Sequence, residues 1–87
     1  MSIGQFDIIL LGDIMNRLKE LRLERGYTQI KMQILTGIDQ SDYSKIERGV
    51  RYYTFEQCRK IAVALDTSMD YLANLTDEKK PYPRKDD

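Results

Sequence analysis

Apolar residues recur at helical spacing along most of the chain, and glycines and capping residues break the pattern at short intervals. Ile14, Leu18 and Leu21, with Met15 beside them, form a first stripe bordered by Lys19, Glu20 and the polar stretch from Arg22 to Arg25. Asp13 supplies an N-cap before this helix and Gly26 a stop after it. Thr28 caps a second, shorter helix that carries Met32 and Leu35 inward and stops at Gly37. Asp39 caps a third, Gln40 to Arg48, closed by Gly49. After a loop from Val50 to Tyr53, Thr54 and Gln57 stand at the spacing of a capping box. The fourth helix they open turns Phe55, Ile61, Ala62 and Leu65 to one face. Asp66-Thr67-Ser68 is a break, and Ser68 caps a last short helix with Met69 and Leu72 inward and Leu75 as a further candidate.

The pattern predicts an all-α fold of five short helices around one core. Two of them are joined by a turn of about three residues containing glycine, which is the sequence form of a helix-turn-helix. The segment 1–12 has no clear cap and reads as an N-terminal arm, extended through Phe6 to Leu11. Residues 13–76 form the domain. From Asp77 the chain reads Asp-Glu-Lys-Lys-Pro-Tyr-Pro-Arg-Lys-Asp-Asp, with little to bury, so 77–87 is expected to be a flexible charged tail.

Composition narrows the function. With 87 residues there is room for one domain and one modest core. No run approaches the ~20 apolar residues of a membrane span. The apolar Ile8-Ile9-Leu10-Leu11 has no basic residue before it, so it does not read as a secretory signal. The cytoplasm is the expected location. The chain has no histidine and one cysteine, Cys58. A His-based metal site, a His general base and an internal disulfide are therefore out of reach, and Cys58, inside a helical pattern, reads as a packed thiol. No nucleophile–base pair and no glycine-rich phosphate loop is present. The class expected is not an enzyme, and it carries no metal or cofactor. Fourteen basic and fourteen acidic residues give zero formal charge. The acidic excess lies after Leu65, and the stretch from Arg17 to Lys60 is mildly basic.

Four stretches are more specific: Arg17-Leu18-Lys19-Glu20-Leu21-Arg22, Arg25-Gly26-Tyr27-Thr28-Gln29, Gly37-Ile38-Asp39-Gln40-Ser41 and Tyr43-Ser44-Lys45-Ile46-Glu47-Arg48-Gly49. Together they closely resemble the XRE family of phage-repressor-like and Cro-like helix-turn-helix regulators, over about Asp13 to Leu75. The resemblance implies a five-helix lambda-repressor-like domain whose third helix enters the major groove N-terminal end first. It makes double-stranded DNA with a palindromic operator the expected partner and a homodimer the expected assembly. Gln40 is suited to a bidentate pair with adenine and Lys45 to guanine, with Ser41 and Ser44 beside them. Tyr43 and Ile46 point to the core by their spacing. Thr28 and Gln29 lie at the start of the second helix, which suits a phosphate. The resemblance implies that Gln29 contacts a phosphate and helps to order Gln40. Arg48 and Arg51 follow the third helix within reach of the flanking backbone, and Tyr52 and Tyr53 either donate hydroxyls there or pack within the loop. The resemblance also puts an ion pair between Arg22 and Glu47, which accounts for an acidic residue inside the motif.

Some residues depart from the family pattern. Gln33 stands where a small residue usually packs the second helix against the third, so its amide must point outward or loosen that contact. Ile30 and Ile34 occupy positions that are normally charged. Asp39 and Asp42 put negative charge at the start of the reading helix, favourable to the helix dipole and repulsive to phosphate. Two other readings stay open: an antitoxin that grips a toxin as well as DNA, and a protein-interaction module with weak DNA binding.

Overall fold

The computed structural model describes residues 17–85. The arm over 1–12, the Asp13 cap, and Ile14 and Met15 lie outside that range. Among the described residues there are five helices and no strand. These are α1 over 17–24, α2 Gln29–Thr36, α3 Gln40–Glu47, α4 Phe55–Ala64 and α5 Met69–Leu72. α2 packs on both α3 and α4, and α5 packs on α4.

The ends of the helices follow from local chemistry. Side-chain oxygens of Thr28, Asp39, Thr54 and Ser68 accept from backbone N–H groups of Lys31, Ser41, Gln57 and Tyr71, satisfying amides that have no partner within the helix. Thr54 and Gln57 complete a reciprocal capping box. Between α2 and α3 the chain must reverse direction within Gly37-Ile38-Asp39. Gly37 does this at φ +76°, in the left-handed region that costs an L side chain free energy.

Leu18, Leu21, Met32, Ile38, Tyr43, Ile46, Cys58, Ile61, Ala62, Leu65, Tyr71 and Leu72 form one buried cluster. Three residues assigned inward from the sequence lie outside it. Phe55 is 75% exposed. It opens the first turn of α4, where side chains lean back past the helix end, and the neighbouring Tyr53 packs against the core. Leu35 is exposed because α2 turns Met32 and Thr36 inward instead. The Thr36 hydroxyl is satisfied there, donating to the Met32 carbonyl at 2.6 Å and accepting from Ile38 N–H at 3.1 Å. Leu75 is 76% exposed, since α5 ends at Leu72 and Asn74 takes a positive φ of 63°.

Arginines tie the helices together. Arg17 donates to the carbonyls of Tyr71 at 3.0 Å and Thr76 at 2.7 Å, pairs with Asp77 at 2.9 Å, and lies 4.2 Å above the Tyr71 ring. Arg25 Nε donates to the Leu65 carbonyl at 2.9 Å, at the C-terminal end of α4. The segment after α5 folds back along α4 and α5. Lys79 offers its carbonyl to Thr67 Oγ1 at 2.6 Å and its ammonium to Glu24 at 3.3 Å, Tyr82 OH donates to Asp70 at 2.6 Å, and Arg84 reaches Asp66 at 3.2 Å.

Candidate nucleic-acid interface

α3 has a buried side and an open side. Tyr43, Ile46 and Glu47 are buried, Gln40, Asp42 and Ser44 are half-buried, and Ser41 and Lys45 are exposed. Every residue of the open side can donate or accept hydrogen bonds, so this edge can interrogate a polar surface without exposing core. The nearby α2 contributes Gln29, whose side-chain oxygen lies 3.1 Å from the Gln40 side-chain amide nitrogen at the start of α3.

A chain of hydrogen bonds links the centre of the domain to that edge. Arg22 Nε donates to Glu47 Oε2 at 2.9 Å and Nη2 to Oε1 at 2.7 Å. The paired side chains are only 9% and 3% exposed. Arg22 Nη1 also donates to the Tyr27 carbonyl at 2.8 Å. Gln29 Nε2 donates to Glu47 Oε1 at 3.4 Å, and Gln29 Oε1 accepts from Gln40 Nε2 at 3.1 Å. The amide of Gln29 is thus engaged on both sides, with one amide hydrogen left for an outside acceptor. Gln40 retains its side-chain oxygen and one amide hydrogen.

Electrostatics follow from this burial. Loss of hydration pushes the Glu47 carboxyl up, but the hydrogen bonds and charge of Arg22, with lesser help from Gln29, outweigh it and hold Glu47 below the usual carboxylate range. The Glu47 hydrogen bond raises Arg22 further above its ordinary value. Tyr43 shifts upward, through burial first and then the Glu47 charge. Its buried hydroxyl has no hydrogen-bond partner. Cys58, buried in the core, is pushed up by desolvation.

The remaining sequence-predicted residues surround α3. Thr28 is the N-cap of α2, where its hydroxyl is occupied by Lys31 N–H at 3.0 Å. Arg48 is exposed and its Nε reaches the Ser44 carbonyl at 3.3 Å. Arg51 is paired with Asp42 at 2.9 Å, both about half-exposed. Tyr53 is packed against the core while Tyr52 is exposed. Gln33 neither points freely outward nor loosens α2 from α3. Its Oε1 accepts from the backbone N–H of Gln40 at 2.7 Å. Ion pairing by Arg17 and capping by Gln33 escaped the sequence reading. A long amide in place of a small residue was the one signal available for Gln33.

Among the described residues no cluster of His, Cys, Asp and Glu could hold a metal ion, and no helix is long and apolar enough to cross a membrane. A short α2, a glycine turn, and an α3 with one polar edge define a helix-turn-helix DNA-binding module. The helix-turn-helix family model matches residues 18–72, and the chain belongs to the XRE-type helix-turn-helix family of DNA-binding transcription regulators. Among solved structures it is similar to the restriction-modification controller protein C.AhdI from Aeromonas hydrophila. The two share 35% identity with a TM-score of 0.68, over 71% of this chain and 94% of that one. No curated protein sequence gives a significant match.

Proposed function

We propose that the chain is a sequence-specific transcription repressor of the cytoplasm that seats α3 in the major groove, N-terminal end first. The observation that carries this reading is the bond from Gln40 Nε2 to Gln29 Oε1. It sets which way the Gln40 amide faces, leaving one acceptor and one donor side by side. Adenine offers the complementary donor and acceptor on its major-groove edge, whereas guanine offers two acceptors. Ser41, Ser44 and Lys45 extend the reading edge. Thr28, Gln29, Arg48 and Arg51 flank it as phosphate contacts that fix register. In a homodimer, two copies of α3 about 34–36 Å apart would meet half-sites repeated at one DNA turn, and hence a palindromic operator. The likeness to a restriction-modification controller makes a gene cluster of that kind the first regulatory target to test. This role requires no chemical step and no cofactor.

Selection of bound sites from a random DNA pool tests the reading. A palindromic consensus is expected. Gln40→Ala or Lys45→Ala should cost about 1–3 kcal/mol on that site and relax preference at one base pair. Arg48→Ala should weaken all duplexes alike. A parent protein without any sequence preference would instead favour a protein-interaction module with weak DNA binding. Ile30 and Ile34, 59% and 70% exposed on α2, are the observation that supports that second reading.

A further inference from the structure

We infer that Gln33 is a positioning residue for base readout, which clamps the first residue of the reading helix from α2. The inference rests on the proposal that α3 reads DNA through Gln40. Gln29 and Gln33 stand four residues apart on α2, hence on one face, and both reach Gln40 across the turn. Gln29 holds its side-chain amide at 3.1 Å and Gln33 holds its backbone N–H at 2.7 Å. Gln40 is therefore fixed at two points, one governing where its Cα sits and the other which way its amide faces. With one bond the side chain could still pivot about the other. The next amide, Ser41 N–H, is taken by Asp39 Oδ2 at 3.0 Å. The first two amides of α3 are thus taken up within the protein, and the placement of Gln40 does not wait for a phosphate to order it.

The identity of the residue matters for this role. The usual small side chain at position 33 could not span the seven-residue separation to Gln40 N–H. Gln33 Oε1 faces that N–H, so the acceptor does the holding. A glutamate would keep the acceptor at the same reach and strengthen it, whereas alanine would remove it. A side chain that merely solvates α2 would show no such dependence on the acceptor.

Binding of Gln33→Ala, Gln33→Glu, Gln40→Ala and the Gln33→Ala/Gln40→Ala double variant to matched and mismatched duplexes tests the inference. The mismatch is placed at the base pair where Gln40→Ala loses discrimination. Gln33→Ala should reduce the matched-over-mismatched ratio about 3- to 10-fold, part of what a bidentate contact supplies. It should have no further effect on that ratio once Gln40 is gone. Gln33→Glu should keep the parent's ratio while binding every duplex more weakly, because its charge opposes phosphate. In the free protein, the Gln40 amide should lose its protection from hydrogen exchange in Gln33→Ala and keep it in Gln33→Glu. If Gln33→Ala keeps the full ratio while Gln40→Ala loses it, or if Gln33→Glu loses as much as Gln33→Ala, the positioning role is overturned and DNA reading by Gln40 stands. If Gln40→Ala itself leaves the ratio unchanged at every base pair, both fail.

Discussion

Arg22 and Glu47 meet through two parallel hydrogen bonds of 2.9 and 2.7 Å, nearly out of contact with water. Breaking such a buried pair from one side strands a charge and costs about 3–5 kcal/mol. Arg22→Met is therefore expected to lower stability by about that much in urea titrations. Arg22→Met combined with Glu47→Leu should recover most of it, since no unpaired charge remains. The double variant removes the anchor of Gln29, so its recovered stability should come with weakened base discrimination.

The same pair makes stability depend on acid. Glu47 is held below the usual carboxylate range in the folded protein, so its contribution is fully present above the unfolded value of about 4.5. It is lost as pH falls through the lower folded value. Unfolding free energy attributable to this residue should be flat from pH 7 to about 5 and decline below about 4.5. In Glu47→Gln that part of the acid slope should disappear, as urea midpoints over the same range would reveal.

Tyr43 fills a fully buried place with its ring but carries a hydroxyl without a partner. An unsatisfied buried hydroxyl is a cost rather than a gain. Tyr43→Phe should leave stability unchanged or raise it by up to about 1 kcal/mol. A loss greater than this would mean that the hydroxyl is bonded to Glu47 in solution.

Gly37 has open space where a Cβ would stand, and a φ of +76°. Only the backbone penalty should therefore be felt. Gly37→Ala is expected to cost about 1–2 kcal/mol and Gly37→Asn less, because asparagine tolerates the left-handed region better. Equal losses in thermal melts would contradict this account.

Residues 79–84 are joined to the domain by exposed contacts of Lys79, Tyr82 and Arg84, and exposed pairs contribute little. Removal of 80–87 should lower the melting temperature by about 5 °C at most. A larger drop would make this segment part of the folding unit.

The helix-turn-helix was legible because its signals are local: caps at Thr28 and Asp39, glycines at the stops, and an apolar period that buries Met32, Tyr43 and Ile46. Inward positions near helix ends were harder to read. Phe55 and Leu75 fit the period, but periodicity does not say where the neighbouring helices end, and both lie beyond the packed surface. Leu35 lost its inward place to Thr36, a polar residue that can be buried because its hydroxyl is satisfied along the chain. Gln33 and Arg17 act through contacts with residues distant in sequence or across a turn, which no single helix pattern encodes. The Arg22–Glu47 and Gln29–Gln40 contacts came to view through family resemblance rather than spacing.

Asp42, 2.9 Å from Arg51, gives the proposed DNA complex a counterion that belongs to the protein. A phosphate that recruits Arg51 must take it from this carboxylate, which then gathers a cation from solution. The ion set free from the DNA is offset by the ion gathered, so Arg51 would fix register while adding little to the slope of affinity against salt. Arg48, bonded to a neutral carbonyl, would add its full share. Binding built on such exchanges holds its strength over a wider range of ionic conditions than a count of guanidinium groups implies.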